Sequence, residues 1–162
     1  DSVLFEVGAG SVENVVAELA SNGFVTVGPL AFDAPRIEAG VPLFGIDFNG
    51  ENLPQEVGRD AEAISFKKGC YLGQETVARI DALGHVNQKL VGVRFFGESV
   101  PDRGADLTSS DKSVGTVTSA AFSPKLGAPL ALAMVRREAN SAGTRLESTA
   151  GDCEVVALPI VG

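Results

Sequence analysis

From Val91 onward the chain is a succession of short runs of β-forming residues separated by turn residues. That pattern restricts the second half more tightly than any other feature of the sequence. Val91, Val93 and Phe95 alternate with Gly92 and Arg94, Gly97 breaks the run, and Pro101 to Gly104 reads as a turn. Further runs are Val114–Pro124, Leu130–Val135, Arg145–Ser148 and Glu154–Leu158. Several short strands at turn spacing predict a small antiparallel β-barrel.

The first half has a different texture. Val3, Phe5 and Val7 alternate as a strand would. Val12, Val15, Val16 and Leu19 fall at helical spacing after Ser11, a good N-cap residue, with Asn22-Gly23 as the stop, and Phe24–Val27 reads as a second strand. Asp33 is placed as the cap of a short helix carrying Pro35 in its first turn and ended by Gly40 and Pro42. Residues 46–58 read as loop. The expected fold class is therefore α+β, in two parts: an α+β region over residues 1–84 and the barrel over residues 85–162.

The chain has 162 residues, enough for one ordinary domain or two small ones, and 44% of them are hydrophobic. No apolar run approaches the roughly 18 residues that span a bilayer, so no membrane partner is expected and the cytoplasm is the expected compartment. Thirteen Lys and Arg against 21 Asp and Glu leave a net charge of −8, which disfavours direct nucleic-acid binding. Two cysteines and one histidine do not supply a zinc or four-thiolate cluster site by themselves. The sequence opens at Asp1 without a methionine, and we expect a C-terminal half of a longer polypeptide.

Chemistry concentrates in Phe66–Arg79. Cys70 follows Lys67 and Lys68 and precedes an expected helix start, with Gly73 as cap, Gln74 and Glu75 in the first turn, and Gly84 closing the helix. Cations and a helix N-terminus both favour thiolate over thiol, so an accessible Cys70 would be acidic and nucleophilic. The bland alternative is a buried cysteine in a Gly-flanked turn. Cys153 has no basic neighbours and reads as buried and inert, and His85 reads as structural.

Lys68-Gly69-Cys70-Tyr71-Leu72-Gly73-Gln74-Glu75 resembles the K-G-C-Y-x-G-Q-E signature of the YgfZ family. These are folate-binding proteins related to the aminomethyltransferase (T-protein) of the glycine cleavage system. Arg36-Ile37-Glu38-Ala39-Gly40, with Phe44-Gly45 after it, resembles the R-x-E-A-G-x-x-x-Y/F-G stretch of both groups. Gly115 to Val135 resembles their C-terminal barrel.

The resemblance implies that residues 1–84 are the remainder of a folate-binding α+β core. It also implies tetrahydrofolate, or a folate derivative, as cofactor. Glu38 would hold the pterin, Lys68 and Arg79 would face the folate tail, and Cys70 would be the reactive residue. The function it implies is an accessory protein, rather than a classical enzyme, that supports iron–sulfur enzyme assembly or repair and thereby tRNA modification. Its partners would be iron–sulfur client or assembly proteins. The rival is a tetrahydrofolate-dependent aminomethyltransferase. Glu38 fits both, whereas Cys70 fits only the first. For Glu38 the bland alternative is a surface pair with Arg36, and no role is carried onto Asp47.

Overall fold

The computed structural model of the chain describes residues 6–60, 64–65, 69, 73–75, 78, 84 and 86–161. Its first elements are two helices, α1 (Val12–Ser21) and α2 (Pro29–Glu38). Six strands follow: β1 (Gln88–Phe95), β2 (Asp106–Ser109), β3 (Lys112–Ser123), β4 (Ala128–Arg136), β5 (Arg145–Leu146) and β6 (Cys153–Val156).

Among the described residues all strand pairs are antiparallel, in the order β2-β3-β4-β1-β6-β5. The two edges of that sheet meet. Thr108 in β2 and Glu147 just after β5 exchange both backbone hydrogen bonds, at 2.8 and 2.9 Å, so the sheet curls into a nearly closed barrel. The barrel expected from turn spacing is thus present, with one more strand than the runs suggest. β2 escapes the sequence pattern because Asp106-Leu107-Thr108-Ser109 buries a single apolar residue, Leu107, and offers no apolar alternation to read.

Residues along the strands divide by parity. Val91, Val93 and Phe95 of β1, Ala131, Ala133 and Val135 of β4, and Cys153 and Val155 of β6 fill the interior with Leu107, Val117 and Leu146. Leu90, Leu130 and Leu132 point the other way and pack outside the barrel against Ile37 of α2 and Val57. β4 is therefore buried on both faces, which explains why it reads as an unbroken apolar run. It places Ala131 and Ala133 inside the barrel and Leu130 and Leu132 outside, where α2 must be met. Each fully buried leucine stabilises by roughly 1.5–3 kcal/mol.

β3 and β4 approach closely at Gly115, where an added Cβ would lie 2.8 Å from the Met134 carbonyl oxygen and 2.9 Å from Val135 Cγ2. Backbone cannot yield as a flexible side chain can. Gly115→Ala should lose about 2 kcal/mol of unfolding free energy in urea titration; a loss under about 0.5 kcal/mol would mean that the strands part freely.

Several local expectations are corrected. α2 begins at Pro29 after Gly28, so Asp33 and Pro35 lie inside the helix rather than at its start. Pro29 at the first helical position is the usable signal, and Pro35 obscures it. Ser11 makes no capping bond; a single 3-10 turn, Ala9–Ser11, leads into α1. Phe24–Val27 forms no strand and is exposed, since no neighbouring strand among the described residues offers its backbone a partner. The first expected strand falls largely on residues outside those described, and Glu6 and Val7 show no strand conformation.

Candidate functional site

The end of α2 is fixed on three sides. Gly40 takes φ +67°, and the Val41 and Gly40 amides donate back to the Arg36 and Ile37 carbonyls at 2.8 and 3.0 Å, closing the helix in a Schellman turn. The C-terminal tail then crosses the helix end, where the Ile160 and Val161 amides donate to the Glu38 carbonyl at 2.8 and 3.0 Å. Arg-x-Glu-Ala-Gly is thus a helix-ending sequence whose glycine supplies the left-handed residue.

Arg36 supplies the third anchor and is buried, contrary to the surface pair with Glu38 considered above. Its Nε donates to Asp33 Oδ1 at 2.6 Å and its Nη1 to Asp47 Oδ2 at 2.9 Å. Asp47 is itself a hub, accepting the Leu43 amide (2.9 Å), the Thr118 hydroxyl (2.7 Å) and the Ser119 hydroxyl (2.6 Å). The β3–β4 register shifts between Val117 and Ser119, so Thr118 is the extra residue of a bulge, and both hydroxyls reach one carboxylate oxygen. Sequence reasoning gives Asp47 no role. The available signal is Thr118-Ser119 within an apolar strand, two hydroxyls that need a partner if buried.

Glu38 is the one predicted contact residue whose side chain lies among the described residues. It is only 4% exposed. Oε1 accepts the Ser123 hydroxyl at 2.5 Å, and Oε2 lies 3.5 Å from the Lys125 ammonium, whose side chain is 67% exposed. A carboxylate offers about four acceptor positions. The contacts among the described residues occupy two of them, one on each oxygen, and no other described residue fills the remaining positions. Adjacent N–H donors of a pterin suit such a group, and in that respect the residues fit a folate.

Lys68, Cys70, Tyr71 and Arg79 lie outside the described residues, as does His85. Of the same motif, Gly69 is exposed, Gly73 sits in a turn at φ +85°, and Gln74, Glu75 and Ala78 are helical. Among the described residues, Glu38 takes its side-chain partners from the β3–β4 turn rather than from Gly69, Gly73, Gln74 or Glu75. Cys153 is fully buried in β6 and donates to the Leu146 carbonyl at 3.5 Å. Burial, with the negative charge of Asp152 beside it, pushes its thiol up to about 12. It is buried, as the sequence suggests, and both causes disfavour its thiolate. No helix among the described residues is long and apolar enough to cross a membrane.

Residues 88–161 match the glycine cleavage T-protein C-terminal barrel domain, and with the nearly closed six-stranded sheet this half of the chain is such a domain. Similarity extends upstream of it. An aminomethyltransferase of Symbiobacterium thermophilum is 35% identical over 126 residues, covering 77% of this chain and 33% of that protein. One from Streptomyces avermitilis is 33% identical over 147 residues, covering 86% and 40%. The crystal structure of glycine cleavage system aminomethyltransferase T from Bartonella henselae superposes with a TM-score of 0.83 over 94% of this chain and 44% of that one, at 22% identity. These matches support the aminomethyltransferase superfamily, and the chain spans 33–40% of the length of these curated relatives.

Proposed function

We propose that the chain is the folate-facing C-terminal portion of a tetrahydrofolate-dependent protein of the aminomethyltransferase type, one that moves a one-carbon unit from an aminomethyl carrier to tetrahydrofolate. The observation that carries this reading is the Glu38 carboxylate, buried at the end of α2 with acceptor positions that no described residue fills. The named relatives favour transfer as the activity. Ammonia release from an aminomethyl-lipoyl carrier, dependent on added tetrahydrofolate, is the assay. No folate-dependent release by the intact protein would remove the transferase reading.

A second reading is supported by one specific observation, the Lys68–Glu75 sequence with its cysteine. In that reading the protein is a YgfZ-type accessory factor that binds folate, uses Cys70 as its reactive thiol, and supports iron–sulfur client proteins and through them tRNA modification. Lys68 and Arg79 would then meet the anionic folate tail on an otherwise acidic protein. Both readings require Glu38. Glu38→Gln preserves size but replaces an all-acceptor group by one that donates on one side, leaving a pterin donor unpaired at a cost of roughly 1–3 kcal/mol. Calorimetry on the intact protein should show a corresponding fall in folate affinity with little change in melting temperature. Unchanged affinity would make Glu38 a purely structural residue.

A further inference from the structure

Glu38 reaches the candidate site from α2, but the group that aims its carboxylate comes from the barrel. Ser123 ends β3 and is 1% exposed. Its hydroxyl oxygen accepts the Leu126 amide at 3.1 Å, which closes the Ser123–Leu126 turn, and with that lone pair engaged its proton points at Glu38 Oε1, 2.5 Å away. The hydroxyl is therefore oriented before any ligand arrives, and its rotation is not free to follow one. On the opposite side Oε2 faces Lys125 of the same turn, the exposed side chain of the pair. Oε1 is held by the Ser123 hydroxyl and Oε2 lies beside the Lys125 ammonium. The carboxylate plane is thus set by the β3–β4 turn, not by α2.

We infer that Ser123 is a positioning residue for ligand binding, holding the Glu38 carboxylate in the orientation that accepts adjacent N–H donors of a folate-type ring; this rests on the folate reading above. Hydrogen bonds to charged groups are the stronger ones, and an unaimed carboxylate must lose rotamer freedom when ligand binds. Removing the hydroxyl should weaken tetrahydrofolate binding about tenfold or more.

The test is calorimetric titration of the intact protein with tetrahydrofolate, for Ser123→Ala alone and again combined with Glu38→Gln. Ser123→Cys serves alongside, since it fills the same space with only a weak S–H donor. It carries the test if the alanine variant does not fold. The expected result is a loss of about tenfold or more with Glu38 present. In the Glu38→Gln background it shrinks to less than about threefold, because the partner there is a neutral amide and the hydrogen bond no longer involves a charge. Unchanged affinity in both Ser123 variants would overturn the inference. So would an equal loss in both backgrounds, because that would mean the turn has merely come apart. A wild-type protein that binds no folate would refute the folate reading itself, and this proposal with it.

Discussion

Asp47→Ala should be the most destabilising single change outside the barrel interior, lowering unfolding free energy by about 3 kcal/mol, at the low end of the range for breaking a buried ion pair. Arg36 and Asp47 side chains are 3% and 0% exposed, so deleting the carboxylate strands a guanidinium away from water. It also orphans the Ser119 hydroxyl and the Leu43 amide. Asp33, still 2.6 Å from Arg36 Nε and 28% exposed, softens the loss, which is why we place it at the low end. The paired replacement Arg36→Met with Asp47→Leu should recover the part of the loss that comes from the stranded guanidinium, since desolvating two charges offsets much of what their attraction returns, while the Ser119 hydroxyl and Leu43 amide stay unpaired. Urea unfolding of both variants measures this. A double variant as unstable as Asp47→Ala would show that the loop geometry, rather than an unpaired charge, is what fails.

The same network shows where sequence reading reaches and where it stops. β1, β3, β4 and β6 are legible because each buries an alternating or continuous apolar set, and burial is what periodicity reports. β5 is read from Arg145–Ser148, although the strand itself is only Arg145–Leu146, whereas β2 is barely legible, since its pairing is mainly backbone hydrogen bonding by a short polar segment. The R-x-E-A-G stretch can be recognised as a resemblance. Its physics cannot: whether Arg36 pairs with Glu38, with Asp33 or with Asp47 depends on a loop 11 residues downstream and on a strand 71 residues beyond that. Long-range polar pairing leaves no period in the sequence. Ser123 is the same case, lying 85 residues from the carboxylate it holds. Phe24–Val27 marks the converse limit, because a strand-like composition does not supply a partner strand.

The two cysteines should differ in reactivity by a wide margin, and that difference bears on which functional reading survives. Cys153 is held as a thiol by burial and by Asp152, with its titration pushed up to about 12. Cys70 lies outside the described residues; what the sequence places beside it are Lys67, Lys68 and the helix that includes Gln74 and Glu75, all of which favour a thiolate except the carboxylate of Glu75. We expect a midpoint for Cys70 below the ordinary thiol value of about 8.5, so that near neutral pH its thiolate population exceeds that of Cys153 by on the order of a thousandfold or more. Alkylation of the native protein across a pH series, read by peptide mass mapping, measures both residues in one sample. Lys68→Gln should raise the Cys70 midpoint by removing a neighbouring cation, while Cys153 stays unmodified until the protein unfolds. Cys70→Ala then separates the functions. The accessory-factor reading requires that the variant fold normally yet lose its support of iron–sulfur enzymes in cells. The aminomethyltransferase reading requires that folate-dependent ammonia release continue undiminished, because nothing in that transfer calls on a thiol. A Cys70 that resists alkylation until unfolding, in a protein whose alanine variant performs normally, would make the motif a structural turn and leave the transferase reading standing alone.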